Sequence, residues 1–129
     1  MTTLADTTIT VEVPISLCPM SLSKNGRAHW AVRNRAFQVQ KEFAYWHIYR
    51  SPLAPCPHWE HAVMHLTWQY NRGRPPDDDN CWARVSAVRD AFEAAGVVTD
   101  DRNIRIGTLT FERVPRWGDP MAIVTLERG

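Results

Sequence analysis

No stretch of this sequence stays apolar for the roughly 20 residues that a bilayer-spanning helix needs, so no membrane span is expected. The N-terminus lacks the basic start and the continuous apolar run of a secretory leader. Cysteine is scarce. Cys18, Cys56 and Cys81 are odd in number, widely spaced and without a CxxC pair. That argues against a disulfide framework and a thiolate zinc site, and it fits a reducing cytoplasm. Net charge is nearly absent as well: 15 basic residues against 14 acidic ones leave +1. Any surface for nucleic acid must then be a local patch. There is no internal repeat or low-complexity segment. No Ser or Cys sits in a nucleophile-elbow motif, which gives nucleophilic catalysis little support. His29, His47, His58, His61 and His65 are scattered, and each reads first as structural.

What is present points to one folded domain over residues 1–129. The chain is long enough for a single core, and 44% hydrophobic residues with six Trp argue for a globule. The Trp residues read mostly as core, with base stacking as their second role. Thirteen of the 15 basic residues are Arg, a bias towards bidentate contacts with phosphate or carboxylate.

Residues 8–15 (TITVEVPI) alternate and are β-branched, so they predict a strand. Residues 21–27 form a polar loop. Residues 28–51 have helical periodicity, with Trp30, Phe37, Phe43 and Trp46 among the apolar positions and Arg33, Arg35 and Lys41 as a partly basic surface. Pro52, Pro55 and Pro57 mark a loop. Residues 62–70 predict a second strand. A helix is predicted from about 80 to 95, with Cys81, Val85, Val88, Phe92 and Ala95 on one stripe and Gly96 as its C-terminal cap. Residues 104–114 and 121–127 predict two more strands, joined by a Pro/Gly turn. The order β-α-β-α-β-β implies a small α+β domain, a mixed sheet covered by two helices.

The chemistry gathers between Pro75 and Ile104. Asp77, Asp78 and Asp79 precede the predicted helix, Asp100 and Asp101 follow it, and Arg72 and Arg74 lie just upstream. So many like charges in one neighbourhood are costly unless a cation neutralises them, and oxygen-rich clusters are what Mg²⁺ and Mn²⁺ select. Basic groups for an anion beside acidic groups for a metal suggest phosphodiester chemistry. An Asp-rich run before a helix is equally often a solvated N-cap. An EF-hand loop does not fit, because its oxygen-ligand and Gly positions would be Cys81 and Trp82. In an extended segment Asp77 and Asp79 would point the same way. The predicted helix is about 24 Å long, which sets Asp100 and Asp101 at its far end. Either the loop after Gly96 folds back, or a second chain supplies the missing half.

The run Asp77-Asp78-Asp79-Asn80, then Asp90-Ala91-Phe92, Gly96-Val97-Val98 and Asp100-Asp101, resembles the signature of RusA-type Holliday junction resolvases, especially phage-borne members. The segment from Ser23 through Lys24, Asn25 and Arg27 to Arg33 is similar to those members too. The resemblance implies a RusA-like fold and a homodimeric, Mg²⁺- or Mn²⁺-dependent crossover junction endodeoxyribonuclease of DNA recombination and repair. Such an enzyme would work in a bacterial cytoplasm, phage- or prophage-encoded. By motif, Asp77, Asp79 and Asp101 become the metal-binding catalytic carboxylates. Ser23, Lys24, Asn25, Arg27, Arg72 and Arg74 become the DNA contacts, and Asp100, Asp90, Arg84 and Asn80 are further candidates. A two-fold enzyme suits a two-fold junction. One position departs from the pattern: the family Lys four residues before the helix Asp is Ser86 here. Arg84 and Arg89 are the nearby cations on the same helix, and neither replaces that Lys cleanly. The departure motivates a second reading, a catalytically weak or inactive branched-DNA-binding protein of the same fold. A third reading is a soluble domain whose acidic loop holds a cation.

Overall fold

The computed structural model describes residues 7–23, 29–51 and 57–129. Along them run β1 (Thr8–Pro14), α1 (Trp30–Tyr49), β2 (Ala62–Tyr70), α2 (Asp78–Arg84), α3 (Ser86–Ala94), β3 (Ile104–Arg113) and β4 (Met121–Arg128). The strands form one mixed sheet in the order β1-β4-β2-β3. β4 is antiparallel to both β1 and β2, whereas β3 runs parallel to β2. A parallel neighbour needs a crossover, and α2 with α3 supplies it. No helix among the described residues is long and apolar enough to cross a membrane.

Strict alternation gives the sheet two unlike faces. Ile9, Val11 and Val13 of β1, Met64, Leu66 and Trp68 of β2, and Ala122, Val124 and Leu126 of β4 are buried. They form one core with Ala44 and Ile48 of α1 and Val85, Val88, Ala91 and Phe92 from the crossover. Each large apolar side chain removed from water there contributes about 1.5–3 kcal/mol. The other face carries polar cross-strand pairs: Thr10 with Thr125, His65 with Glu127, and Gln69 with Glu112.

Two sequence expectations change. α1 buries Gln40, Ala44 and Ile48, while Trp30 and Trp46 are exposed. Trp residues read mostly as core on their size, and these two are not, although Phe43 packs against the core. The predicted helix after the Asp run is two helices broken at Val85, whose φ and ψ are −114° and 16°. The cause is a side chain from α1. Gln40 is fully buried, and its Nε2 donates to the carbonyls of Leu17 (2.8 Å) and Arg84 (2.7 Å). Its Oε1 accepts from the Ala87 N–H at 3.1 Å. An uninterrupted helix would spend the Arg84 carbonyl and the Ala87 N–H on itself, so the inserted amide replaces those two groups' ladder bonds. The core stripe through Cys81, Val85, Val88 and Phe92 stays buried across the break.

The C-terminal stop follows its sequence signal. Gly96 has φ +78°, Gly96 N–H donates to Glu93 and Val97 N–H to Phe92. This Schellman closure turns the chain back on α3.

Candidate metal and nucleic-acid site

The acidic run after β2 begins α2. Asp77 is its N-cap, accepting from the Asn80 N–H at 3.1 Å, and Asp78 and Asp79 lie in the first turn. The expected extended arrangement is absent, because the helix starts two residues earlier than predicted. Carboxylates at this end complement unpaired N–H groups and the helix dipole. All three are exposed.

The second cluster forms at the far end of the crossover. After Gly96 the chain makes a short ladder, with Thr99 N–H donating to Trp59 and Trp59 N–H to Val97. A 3₁₀ turn over Asp101–Asn103 follows. Arg89 of α3 fixes that turn by donating to the carbonyls of Asp101 (3.0 and 3.2 Å) and Ile104 (2.9 Å). The result sets the Asp101 carboxyl beside Asp90. Glu93, Asp100 and Asp101 place ligand oxygens within 4.8 Å of one another. This is the only such group of three among the described residues, and Asp77 and Asp79 do not join it within one chain.

Charge in the cluster is uneven. Asp90 is held above the ordinary carboxyl value by burial first, then by its hydrogen bond to Asp101 and that neighbour's charge. Lys41 and Arg89 oppose the rise. Asp90 is thus the carboxyl of this cluster with the raised proton affinity. Asp100 goes the other way, down to about 2, because Arg102 grips it with contacts of 2.6–3.1 Å. Asp100 can ligate a metal only by loosening that grip.

No protein-family model and no curated protein matches this chain.

A basic surface lies at the exit of β2. Asn71 Nδ2 donates to the carbonyls of Arg116 (3.3 Å) and Gly118 (3.0 Å), tying the loop 71–76 to the turn between β3 and β4. Gly73 has φ +59°, a conformation that suits glycine between Arg72 and Arg74. The second turn closes by Gly118 N–H on the Pro115 carbonyl, with Arg116 and Trp117 at its corners. Arg72, Arg74 and Arg116 are exposed and carry no ion pair among the described residues. Trp117 is 88% exposed. Arg116 precedes the uncovered indole, and Arg72 and Arg74 lie on the loop tied to the same turn; arginines and an exposed aromatic suit phosphates and stacked bases.

The remaining candidates are occupied or outside the description. Arg84 lies 4.9 Å over the Trp68 ring and donates through Nε to the Cys18 carbonyl, so it braces the core side of α2. Ser23 is buried, with its hydroxyl donating to the Met20 carbonyl. Lys24, Asn25 and Arg27 lie outside the described residues. Ser86 opens α3 one turn before Asp90. Burial pushes the Cys18 and Cys81 thiols up to about 12, which leaves them inert as nucleophiles. Sequence reasoning missed Glu93, Lys41, Arg116 and Trp117. The signal for Glu93 was its spacing of three from Asp90 on one helix face. Lys41 was read only as part of a basic helix surface, and its approach to Asp90 from another helix left no signal.

Proposed function

We propose that this protein is a divalent-metal-dependent endonuclease that resolves four-way DNA junctions by paired phosphodiester hydrolysis, acting as a homodimer of RusA-like chains. The observation that carries the reading is the group Glu93, Asp100 and Asp101, whose ligand oxygens lie within 4.8 Å of one another, with Asp90 beside Asp101. A divalent cation would relieve the repulsion among these carboxylates. The donor set is all oxygen, which fits Mg²⁺ or Mn²⁺. Asp101 and Glu93 would hold the ion, with Asp90 beside them. A bound ion would polarise the phosphate and activate water. The chain's own residues do the rest. Arg72, Arg74 and Arg116 offer charge to backbone phosphates, and Trp117 offers a face to an unstacked base at the branch point. Asp77 and Asp79 retain the catalytic roles that the resemblance implies. A rearranged loop or the second chain of a dimer would bring them to the cluster.

Ser86 supports a second reading, a branched-DNA-binding protein with weak or no turnover. Arg84 and Arg89 are both engaged with backbone carbonyls, so neither stands in for the family Lys. One assay separates the two. Mg²⁺-dependent cleavage of a synthetic four-way junction, lost in Asp101→Asn and Asp79→Asn, supports the enzyme. Junction binding without cleavage by the wild type supports the binding protein. Neither binding nor cleavage refutes both.

A further inference from the structure

β3 stands at an edge of the sheet, bonded to β2 on one side and to no strand on the other among the described residues. At 10 residues it is the longest strand, and it holds neither Pro nor Lys, two usual devices for blunting an edge. β1, at the opposite edge, has 7 residues and ends on Pro14. The side of β3 facing the helix layer is only partly covered: Ile104 is buried and Leu109 packs against the core, but two large side chains beside them are not covered. Ile106 and Phe111 are 44% and 38% exposed, although their β2 partners Met64 and Trp68 are buried.

A bulge fixes the register of this edge. Gly107 and Thr108 together oppose His65, between the pairs Met64 with Ile106 and Leu66 with Leu109. Thr108 N–H donates to His65 Nδ1 at 3.0 Å, and Nε2 meets Glu127 at 3.1 Å. A Cβ on residue 107 would lie 2.6 Å from the imidazole, so only glycine fits. With the bulge as one ladder position, Ile106 and Phe111 stand equally far either side of Leu109, and Arg105 and Glu112 stand one step beyond them.

That spacing is self-complementary. An antiparallel second copy with its two-fold axis at Leu109 sets Leu109 against Leu109, Ile106 against Phe111, and Arg105 against Glu112. Each pair then shares a face. Arg105 has no carboxylate partner among the described residues, and Gln69 holds Glu112 along the same face at 2.8 Å. The bulge of each copy meets Thr110 of the other. We propose that β3 pairs with β3 of a second copy in this register, joining two four-stranded sheets into one. The pairing gives a surface to the homodimer proposed above and rests on that reading for its purpose. Its test reads association alone, so failure of pairing and failure of cleavage are told apart.

Sedimentation of the full chain should show a dimer at micromolar concentration. Arg105→Glu puts Glu opposite Glu112 twice, and Glu112→Arg puts Arg opposite Arg105 twice. Each should raise the dimer Kd about tenfold. The double variant should return to within about threefold of wild type. So should an equal mixture of the two single variants, in which every facing pair is opposite in charge. Recovery in the mixture cannot come from misfolded chains. A wild-type monomer at about 100 μM overturns the proposal, since specific pairing should be complete there. So do single reversals that leave Kd unchanged, or a mixture that fails to recover. Dissociation by Val39→Glu on the exposed face of α1, with the β3 reversals silent, moves the interface to α1 and overturns it too.

Discussion

Gln40→Met is the most informative single perturbation, because it removes the amide and keeps the volume. Three backbone groups lose a partner: the carbonyls of Leu17 and Arg84, and the N–H of Ala87. Each unsatisfied buried group costs about 1–3 kcal/mol. Partial relaxation and the apolar burial of Met return about 1–2 kcal/mol. Three such groups cost about 3–9 kcal/mol, so the net expected loss is about 1–8 kcal/mol, a large fraction of the roughly 5–15 kcal/mol that holds a domain together. Urea unfolding followed by far-ultraviolet circular dichroism measures it. The midpoint should fall with little change in slope, because the surface exposed on unfolding is nearly the same. Gln40→Glu should cost more, since its carboxylate faces two carbonyl oxygens. A Gln40→Met variant within about 0.5 kcal/mol of wild type, the level of a neutral surface change, would falsify the claim that this amide holds the helix break.

Four further outcomes are expected. Asp77→Asn should lose cleavage yet keep its fold, because Asn caps a helix as well as Asp does; Asp77→Ala should cost a further ~1 kcal/mol in thermal unfolding. Asp90 is raised above 3.8 in the folded chain, so its contribution to stability is present below that value and fades as pH rises through the raised one. Asp90→Asn should therefore be more stable than wild type at neutral pH but not in acid, and Mg²⁺ should stabilise the wild type increasingly as pH rises; matching stability–pH curves for the two proteins sink this. Alanine at Arg72, Arg74 or Arg116 should each flatten the salt dependence of junction binding by about one unit, whereas Trp117→Ala should weaken binding about tenfold without changing the slope. Ser86→Lys places a cation one turn from Asp90 and should raise the single-turnover rate several-fold; Lys41→Met, which removes the cation already acting on Asp90, should lower it.

The strands were legible because their signal is local. Alternation set β2 at 62–70 and placed β1, β3 and β4 to within a residue or so. Gly96 announced its own cap through a left-handed φ that other residues resist. The misses share a different cause. Nothing near Val85 says that a helix ends there, since the partner of its orphan groups lies on α1, more than forty residues upstream. Trp30 and Trp46 looked like core from their size, but Ala44 and Gln40 occupy the inward stripe. In the site, both acidic clusters were visible as composition, while their relation depended on that break and on the turn after Gly96.

The broken crossover bears directly on how the two acidic ends act. A straight helix from Asp78 to Ala94 would hold Asp79 and Asp90 at a fixed separation and rotation. The break at Val85 frees that relation, and one α1 amide then sets it through the Arg84 carbonyl and the Ala87 N–H. Lys41, the residue after Gln40, is the α1 cation that acts on Asp90. Adjacent residues of α1 therefore hold the bend between the acidic ends and oppose, as a smaller cause, the raised proton affinity at one of them. A shift of α1 would alter the two together. The bend and the Lys41 contribution at the carboxyl cluster thus both trace to α1, whereas Asp101, a larger cause at Asp90, belongs to the 3₁₀ turn at Asp101–Asn103 that Arg89 of α3 holds.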